Sequence, residues 1–403
     1  MNKTELSDNN KLFVKEYILI VIICGLGRIC NHMQAVTIPL YVQSIGYSAT
    51  LAGLMTTVYT IVSVIFRPFI GVMLDRKGRW IIFMLGTGLF AFSSGMFGYM
   101  NALWLLFTVR LLHGLGFSAH TTSINTMGTD VIPESRLAEG IGYMGLTNSI
   151  STAIAPALAL FLAEAVGYNR TFLSIASIAI AATLIGFFIR YEKKRPAAEK
   201  SEFKRLRWSD LYEKASLLPS IVILVMAGAN VALSTFLASY GNARGIESVG
   251  FFFTVNAITM AVARLTCGWF SRIMGEKNVM NIGLVLCLAG YILIFFADGN
   301  AELWAAGAVY GFGYGVVYPL LNAMAVVNAP SERRGSANAT FLLFMDLGIG
   351  VGSFVWGLTI DLIGIRWLYL LCSGCAFVSL IINQLPVFSK LYSKQVRGKE
   401  NVS

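Results

Sequence analysis

Charge is what this chain has least of. Asp, Glu, Lys and Arg make up 13% of its 403 residues, while 56% are hydrophobic. A soluble protein carries about 25% charged residues, so a soluble globular fold is excluded. The six cysteines, Cys24, Cys30, Cys267, Cys287, Cys372 and Cys375, all fall inside apolar runs. There cysteine acts as a small core residue rather than half of a disulfide. No zinc-ligand spacing and no phosphate-binding glycine loop is present, so neither a metal, a cofactor nor direct ATP drive is expected. A clustered nucleophile set is also missing, and an enzyme is not expected. The first apolar run is too long for a cleavable signal.

What is there instead is a succession of apolar runs of about 20 residues, each long enough to cross about 30 Å of hydrocarbon as a helix. Twelve spans are expected, near 17–41, 48–74, 81–99, 102–127, 137–164, 169–190, 217–240, 249–272, 278–297, 301–327, 336–361 and 366–386. The fold class is an all-α membrane protein. Residues 1–16 form a polar tail, 17–190 a first six-helix bundle and 191–216 the one long loop. Residues 217–386 form a second bundle and 387–403 a basic tail. Only Arg170, Arg244 and Arg366 fall on one side of the spans, and only Arg28, Arg67, Arg110 and Arg264 lie inside them away from their ends. The other basic residues crowd the tails and the opposite loops, which places both termini and the long loop in the cytoplasm. The net charge of +10 therefore speaks for membrane topology and not for nucleic acid. Phe203 to Leu218 mixes apolar and basic residues. It reads equally as an amphipathic helix on the membrane surface or as a solvated basic linker.

An internal repeat runs through the chain at an offset of 197 residues. It pairs Gly53 with Gly250, Arg67 with Arg264, Gly71 with Gly268, Gly78 with Gly275, Gly114 with Gly311, Gly116 with Gly313, Asn125 with Asn322 and Gly167 with Gly364. One ungapped offset covers spans 2 to 6 and 8 to 12, so the two bundles are repeats of the same orientation.

The stretch RPFIGVMLDRKGRW, from Arg67 to Trp80, sets five charged or turn residues between two apolar runs. It resembles the cytoplasmic signature G-x-x-x-D-R-x-G-R-[KR] of the major facilitator superfamily, matched by Gly71, Asp75, Arg76, Gly78 and Arg79, with Trp80 departing at the last position. LFTVRLLHGLG resembles that family's fourth-helix signature, matched by Leu106, Arg110, Gly114 and Gly116, with His113 in place of Gln. The resemblance implies twelve helices in two pseudo-symmetric six-helix bundles. It also implies a gating loop, in which Asp75 faces a helix N-terminus near Ser336 and Asp130 answers the loop arginines. In the second half Arg272 and Glu276 replace key positions, so the gate is expected in the first-half loop. Arg110 inherits a role in proton coupling or in binding substrate anions.

A charge at mid-bilayer costs about 2.5–3.5 kcal/mol, so the intramembrane charges need partners. Asp346 is the deep acid, and the resemblance, which packs helix 2 against helix 11 on the cytoplasmic side, implies Arg67 as its partner, in a bridge broken by protonation or standing as a static one. His113 could titrate beside Arg110, since histidine changes charge near physiological pH. Arg28, Asn31 and His32 lie at i, i+3 and i+4, on one helical face; the resemblance implies a central cavity lined by helices 1, 4, 7 and 10, so these residues with Gln34 are an expected substrate-cavity wall. Asn230, Tyr310, Tyr314, Tyr318 and Asn322 would complete it. Each alone is more often helix-packing glue.

The fifth-span stretch AIAPALAL keeps Pro156 of an antiporter signature but not its glycines. FRP-x-x-G, Tyr318-Pro319 and DLGI before DLIGIRWLYL are similar to bacterial exporters of drugs, metabolites and opine-type metallophores. The expected function is secondary active transport of a small organic solute by alternating access. Proton-coupled efflux through the bacterial cell membrane is the first reading, with a monomer, a lipid bilayer and protons as the implied partners. Proton-coupled uptake of an anionic metabolite is the alternative, and a non-transporting membrane receptor is a distant one.

Overall fold

A computed structural model describes residues 12–133, 136–189, 213–327, 329 and 334–386. Its elements are α1 (Lys15–Ser44), α2 (Ala49–Lys77), α3 (Arg79–Met96), α4 (Leu103–Val131) and α5 (Leu137–Gly186). They continue with α6 (Leu217–Arg244), α7 (Val249–Met274), α8 (Glu276–Phe296), α9 (Asn300–Val327), α10 (Arg334–Ile363) and α11 (Leu368–Gln384). Within α5, Gly167 has φ 78° and ψ 164°. The element is therefore two helices end to end, and the described chain carries the twelve expected. Ten stretches among the described residues are long and apolar enough to cross a membrane. A spanning segment must satisfy its own backbone groups, which is why these runs are helices throughout. Pro39, Pro156 and Pro319 are accommodated inside them.

One expectation is corrected. Asp75, Arg76 and Lys77, read as loop residues, continue α2. Only Gly78 breaks the chain, at φ 95° and ψ 145°, and α3 starts at Arg79. The charged residues end a helix that needs no loop, because one glycine turns the backbone. Its repeat mate Gly275 takes φ 80° and ψ 146°, and Gly364, the mate of Gly167, takes φ 88° and ψ 155°. This backbone region is essentially reserved for glycine, and other residues held there cost about 1–3 kcal/mol. Gly364→Ala is expected to lower thermal stability by that order, read as a lower Tm of the purified protein.

The repeat extends to helix packing. A Cβ placed on Gly114 would meet Tyr59 O at 3.0 Å and Val62 at 3.2 Å. One on Gly311 would meet Asn256 O and Thr259 Oγ1, both at 2.4 Å, and these neighbours also stand 197 residues on. Likewise Gly116 abuts Phe90 N and Gly86 O, while Gly313 abuts Cys287 N and Gly283 O. Small residues let helices approach to backbone contact, and the same crossings occur in both halves.

Contacts divide the chain into two compact units, one drawn from Met1–Tyr41 and Val58–Glu202, the other from Val42–Thr57 and Phe203–Ser403. In the first, Tyr41 donates its hydroxyl to Asn101 Oδ1 (2.9 Å) and Met100 O (3.2 Å) beyond the end of α3. In the second, Tyr240 donates to Ile294 O (3.0 Å) at the end of α8, and Arg244 pairs with Asp298. Tyr41 and Tyr240 stand 199 residues apart, so the first helix of each half follows a register two residues longer than the rest.

The start of α2 is docked within the second unit on α10. Asp361 accepts the amides of Ala49 (3.0 Å) and Thr50 (2.8 Å), a carboxylate placed at a helix N-terminus. Ser353 donates to Gly53 O (2.5 Å) and Thr57 to Gly350 O (2.6 Å).

Candidate functional site

Each unit carries one polar face of helical side chains. In the first unit, α1 supplies Arg28, Asn31 and His32. Arg28 Nη1 donates to Asn148 Oδ1 of α5 (2.9 Å) and its Nε to Cys24 Sγ (3.3 Å). His32 Nε2 lies 3.3 Å from the same Asn148 oxygen and 3.2 Å from Thr152 Oγ1. Tyr59 of α2 donates its hydroxyl to Asn31 Oδ1 (2.5 Å). Over the Tyr59 ring, 4.4 Å from its centroid, lies the Arg110 guanidinium. That geometry is a cation–π contact, stronger when desolvated, and Arg110 is only 2% exposed. Arg110 Nη1 also donates to His113 Nδ1 (3.1 Å). His113 is held between the Phe90 and Tyr59 rings, at 4.9 and 5.3 Å. Its Nδ1 is thus an acceptor for the arginine while this bond stands.

Gln34 is corrected. It stands two residues beyond His32, about 200° further round the helix, and is fully buried, donating to Ser94 Oγ (3.0 Å) of α3. It ties α1 to α3 and does not join the Arg28–His32 face. His120, which the sequence leaves without a role, bonds Thr87 through Nδ1 (2.9 Å). Its Nε2 would lie 2.1 Å from a Cβ at Gly27. Gly27→Ala is expected to displace His120 and lower stability by about 1–3 kcal/mol, read by thermal unfolding beside Gly145→Ala, where a Cβ meets nothing within 4 Å.

In the second unit, Tyr291 donates to Tyr310 (3.1 Å) and Tyr310 to Asn230 Oδ1 (2.8 Å). Tyr314 stacks on Tyr310 at 5.8 Å. Arg264 reaches Met260 Sδ (3.2 Å) and lies 5.8 Å from the Tyr318 centroid. Asp346 lies on α10. Asn322 donates to Asn338 Oδ1 (3.1 Å). Asn230 is the mate of Asn31 in the longer register, and each accepts a tyrosine hydroxyl.

At the signature stretch, Arg79 Nε lies 2.6 Å from Asp130 Oδ2, so the expected acid does meet a loop arginine. Trp80, at the departing position, donates to Gly186 O (3.0 Å). The side chains of Asp75, Arg76 and Ser336 and most of the basic linker lie outside the described residues.

Sequence relationships agree with this architecture. The family model described as Major Facilitator Superfamily matches residues 18–251 and 245–400. The chain belongs to the Major Facilitator Superfamily. As a superfamily member it is a multi-pass membrane transporter and not an enzyme. It is 25% identical over 389 residues to the staphylopine export protein of Staphylococcus aureus (strain Mu50), covering 93% of this chain and 95% of that one. It is 21% identical over 360 residues to the quinolone resistance protein NorA of S. aureus (strain MRSA252), covering 88% and 90%. Among solved structures, a bacterial homologue of the human lysosomal transporter Spinster superposes with a TM-score of 0.77 at 14% identity over 99% of both chains. The nucleoside transporter NupG superposes at 0.72 and 16% identity, over 92% of this chain and 100% of that one. These likenesses carry the superfamily fold.

Asn148, Thr152 and Tyr59 are the site residues that sequence reasoning missed. Asn148 and Thr152 share a helical face at i and i+4, as Arg28 and His32 do, and that shared spacing is the signal that could have found them.

Proposed function

We propose that this transporter is a proton-coupled exporter of a small organic solute bearing a carboxylate, anionic or zwitterionic overall. The observation that carries this reading is the first-unit face. There Arg28 is held by the neutral acceptors Cys24 and Asn148, so its positive charge is available to an anion. Charge attracts charge far more strongly in a low-dielectric bundle than in water. Export is supported by relatives named for the export of staphylopine and for quinolone resistance. Asp346 is the proposed proton acceptor, and Arg67 and Arg110 with His113 complete the coupling set. The Arg79–Asp130 bridge and the Gly71–Arg79 stretch act as the gate on the cytoplasmic side, where both termini lie. A monomer is the transporting species, and the proton gradient is its energy source.

The test is solute flux in proteoliposomes under an imposed pH gradient. Asp346→Asn is expected to abolish gradient-driven accumulation while leaving solute counterflow in place. Accumulation at the parental level in that variant would remove Asp346 from the coupling step. Saturable proton-driven transport of cationic dyes, with no competition by anions, would overturn the substrate class.

A further inference from the structure

The hydrogen bonds around Asn148 fix which nitrogen of His32 carries a proton. Arginine has donors only, so the Asn148 atom on Arg28 Nη1, 2.9 Å away, is the amide oxygen. That same oxygen lies 3.3 Å from His32 Nε2. The second neighbour of Nε2 is Thr152 Oγ1, at 3.2 Å. Thr152 commits its own proton to Asn148 O, one turn back, at 2.8 Å, so toward the histidine it is an acceptor as well. Nε2 therefore faces two acceptors and bears the hydrogen. Nδ1 is left as the lone-pair nitrogen, and no hydrogen bond to it is made among the described residues. His32 is half-buried, on the same face as the guanidinium four residues before it.

We propose that Asn148 and Thr152 are positioning residues of an amino-carboxylate subsite. In it Arg28 takes the carboxylate and His32 Nδ1 accepts an N–H from the amine beside it. Asn148 does two things at once. It aims Arg28 from α5 onto the α1 face, and it locks the imidazole in the tautomer that presents an acceptor next to a cation. A wall of two donors would suit any anion, whereas a donor beside an acceptor selects a solute that carries both. Specificity of this kind is strong, because a partner lacking one group leaves a polar atom of the site unpaired. The subsite rests on the carboxylate-exporter reading above and narrows it to amino acids and their conjugates.

The experiment is 15N NMR of the full chain, histidine-labelled, in detergent, with His113→Gln and His120→Gln variants assigning the three imidazoles. In the parent, neutral His32 is expected as the Nε2–H tautomer. Asn148→Leu should mix the two tautomers, and Asn148→Asp, which keeps the acceptor, should restore Nε2–H. A parental Nδ1–H tautomer, or one indifferent to Asn148→Leu in folded protein, overturns the positioning role. L-Phenylalanine, 3-phenylpropionate and phenethylamine are then added separately at millimolar concentration. Displacement of the His32 Nδ1 resonance by L-phenylalanine alone supports the subsite. Displacement by none of them, or equally by all three, overturns the amino-carboxylate class. These readouts need no gradient: loss of proton-driven flux with the tautomer intact counts against the exporter reading alone, and a wrong tautomer with flux intact counts against the subsite alone.

Discussion

Arg110→Ala is expected to cut solute flux by about 10- to 100-fold, the loss that follows from removing a charged hydrogen-bonding group worth about 1.5–3 kcal/mol. Arg110 is buried, lies over the Tyr59 ring and donates to His113 Nδ1. Tyr59 in turn donates to Asn31 on α1. One guanidinium thus organises side chains from α1, α2 and α4. Arg110→Lys is expected to rescue little, since an ammonium lacks the planar group that stacks on a ring while donating in its plane. His113→Gln keeps an acceptor for Arg110 and should retain most of the flux, whereas His113→Leu should not. Flux assays in proteoliposomes, with Tm recorded for each variant, separate a functional loss from an unfolded protein. Parental flux in Arg110→Ala would remove it from the machinery.

Gly352→Leu is expected to yield little folded protein, or protein destabilised by at least about 3 kcal/mol. Overpacking a core costs about 1–3 kcal/mol when side chains can yield, and here they cannot. A Cβ on Gly352 would lie 2.4 Å from Gly228 O and 2.6 Å from its Cα. The same Gly228 carbonyl accepts the Trp356 indole N–H at 2.5 Å. Separating α6 from α10 therefore breaks a buried hydrogen bond as well. Gly374→Leu is the matched control, for a Cβ there meets nothing within 4 Å. Equal yield and equal Tm for the two variants would show that the α6–α10 crossing is looser than drawn.

The fold was legible in the sequence because a membrane helix announces itself by length and apolarity, and because backbone crossings demand glycine at single positions. Gly114, Gly116, Gly167 and their mates could be read from one offset, and the structure gives them matching neighbours or matching dihedrals. The site was legible only in part. Arg28, Asn31 and His32 stand out as charge and amide in an apolar run. Asn148 does not, since one amide among Thr147, Ser149 and Ser151 looks like ordinary helix glue. The kinship of Asn31 and Asn230 was hidden by the longer register of the first helix in each half. Gln34 was misplaced because it was grouped with Arg28 and His32 by polarity, although its spacing already turns it to another side of α1. The family resemblance set Asp130 against the arginines of the signature stretch without singling out Arg79, and no spacing rule connects the two.

The glycine crossings also bear on how such a protein can move. Two helices meeting backbone to backbone have no side chains between them to rearrange, so sliding one past the other would demand that carbonyls collide. α8 and α9, joined at Gly283 and Gly313, and α6 and α10, joined at Gly228 and Gly352, are pinned in this way. Bending should instead concentrate where glycine gives the chain slack without close neighbours. Gly71 and its mate Gly268 are such places, each with nothing within 4 Å of a Cβ. A residue without a side chain thus serves as a weld where another backbone presses on it, and leaves room for a joint where none does.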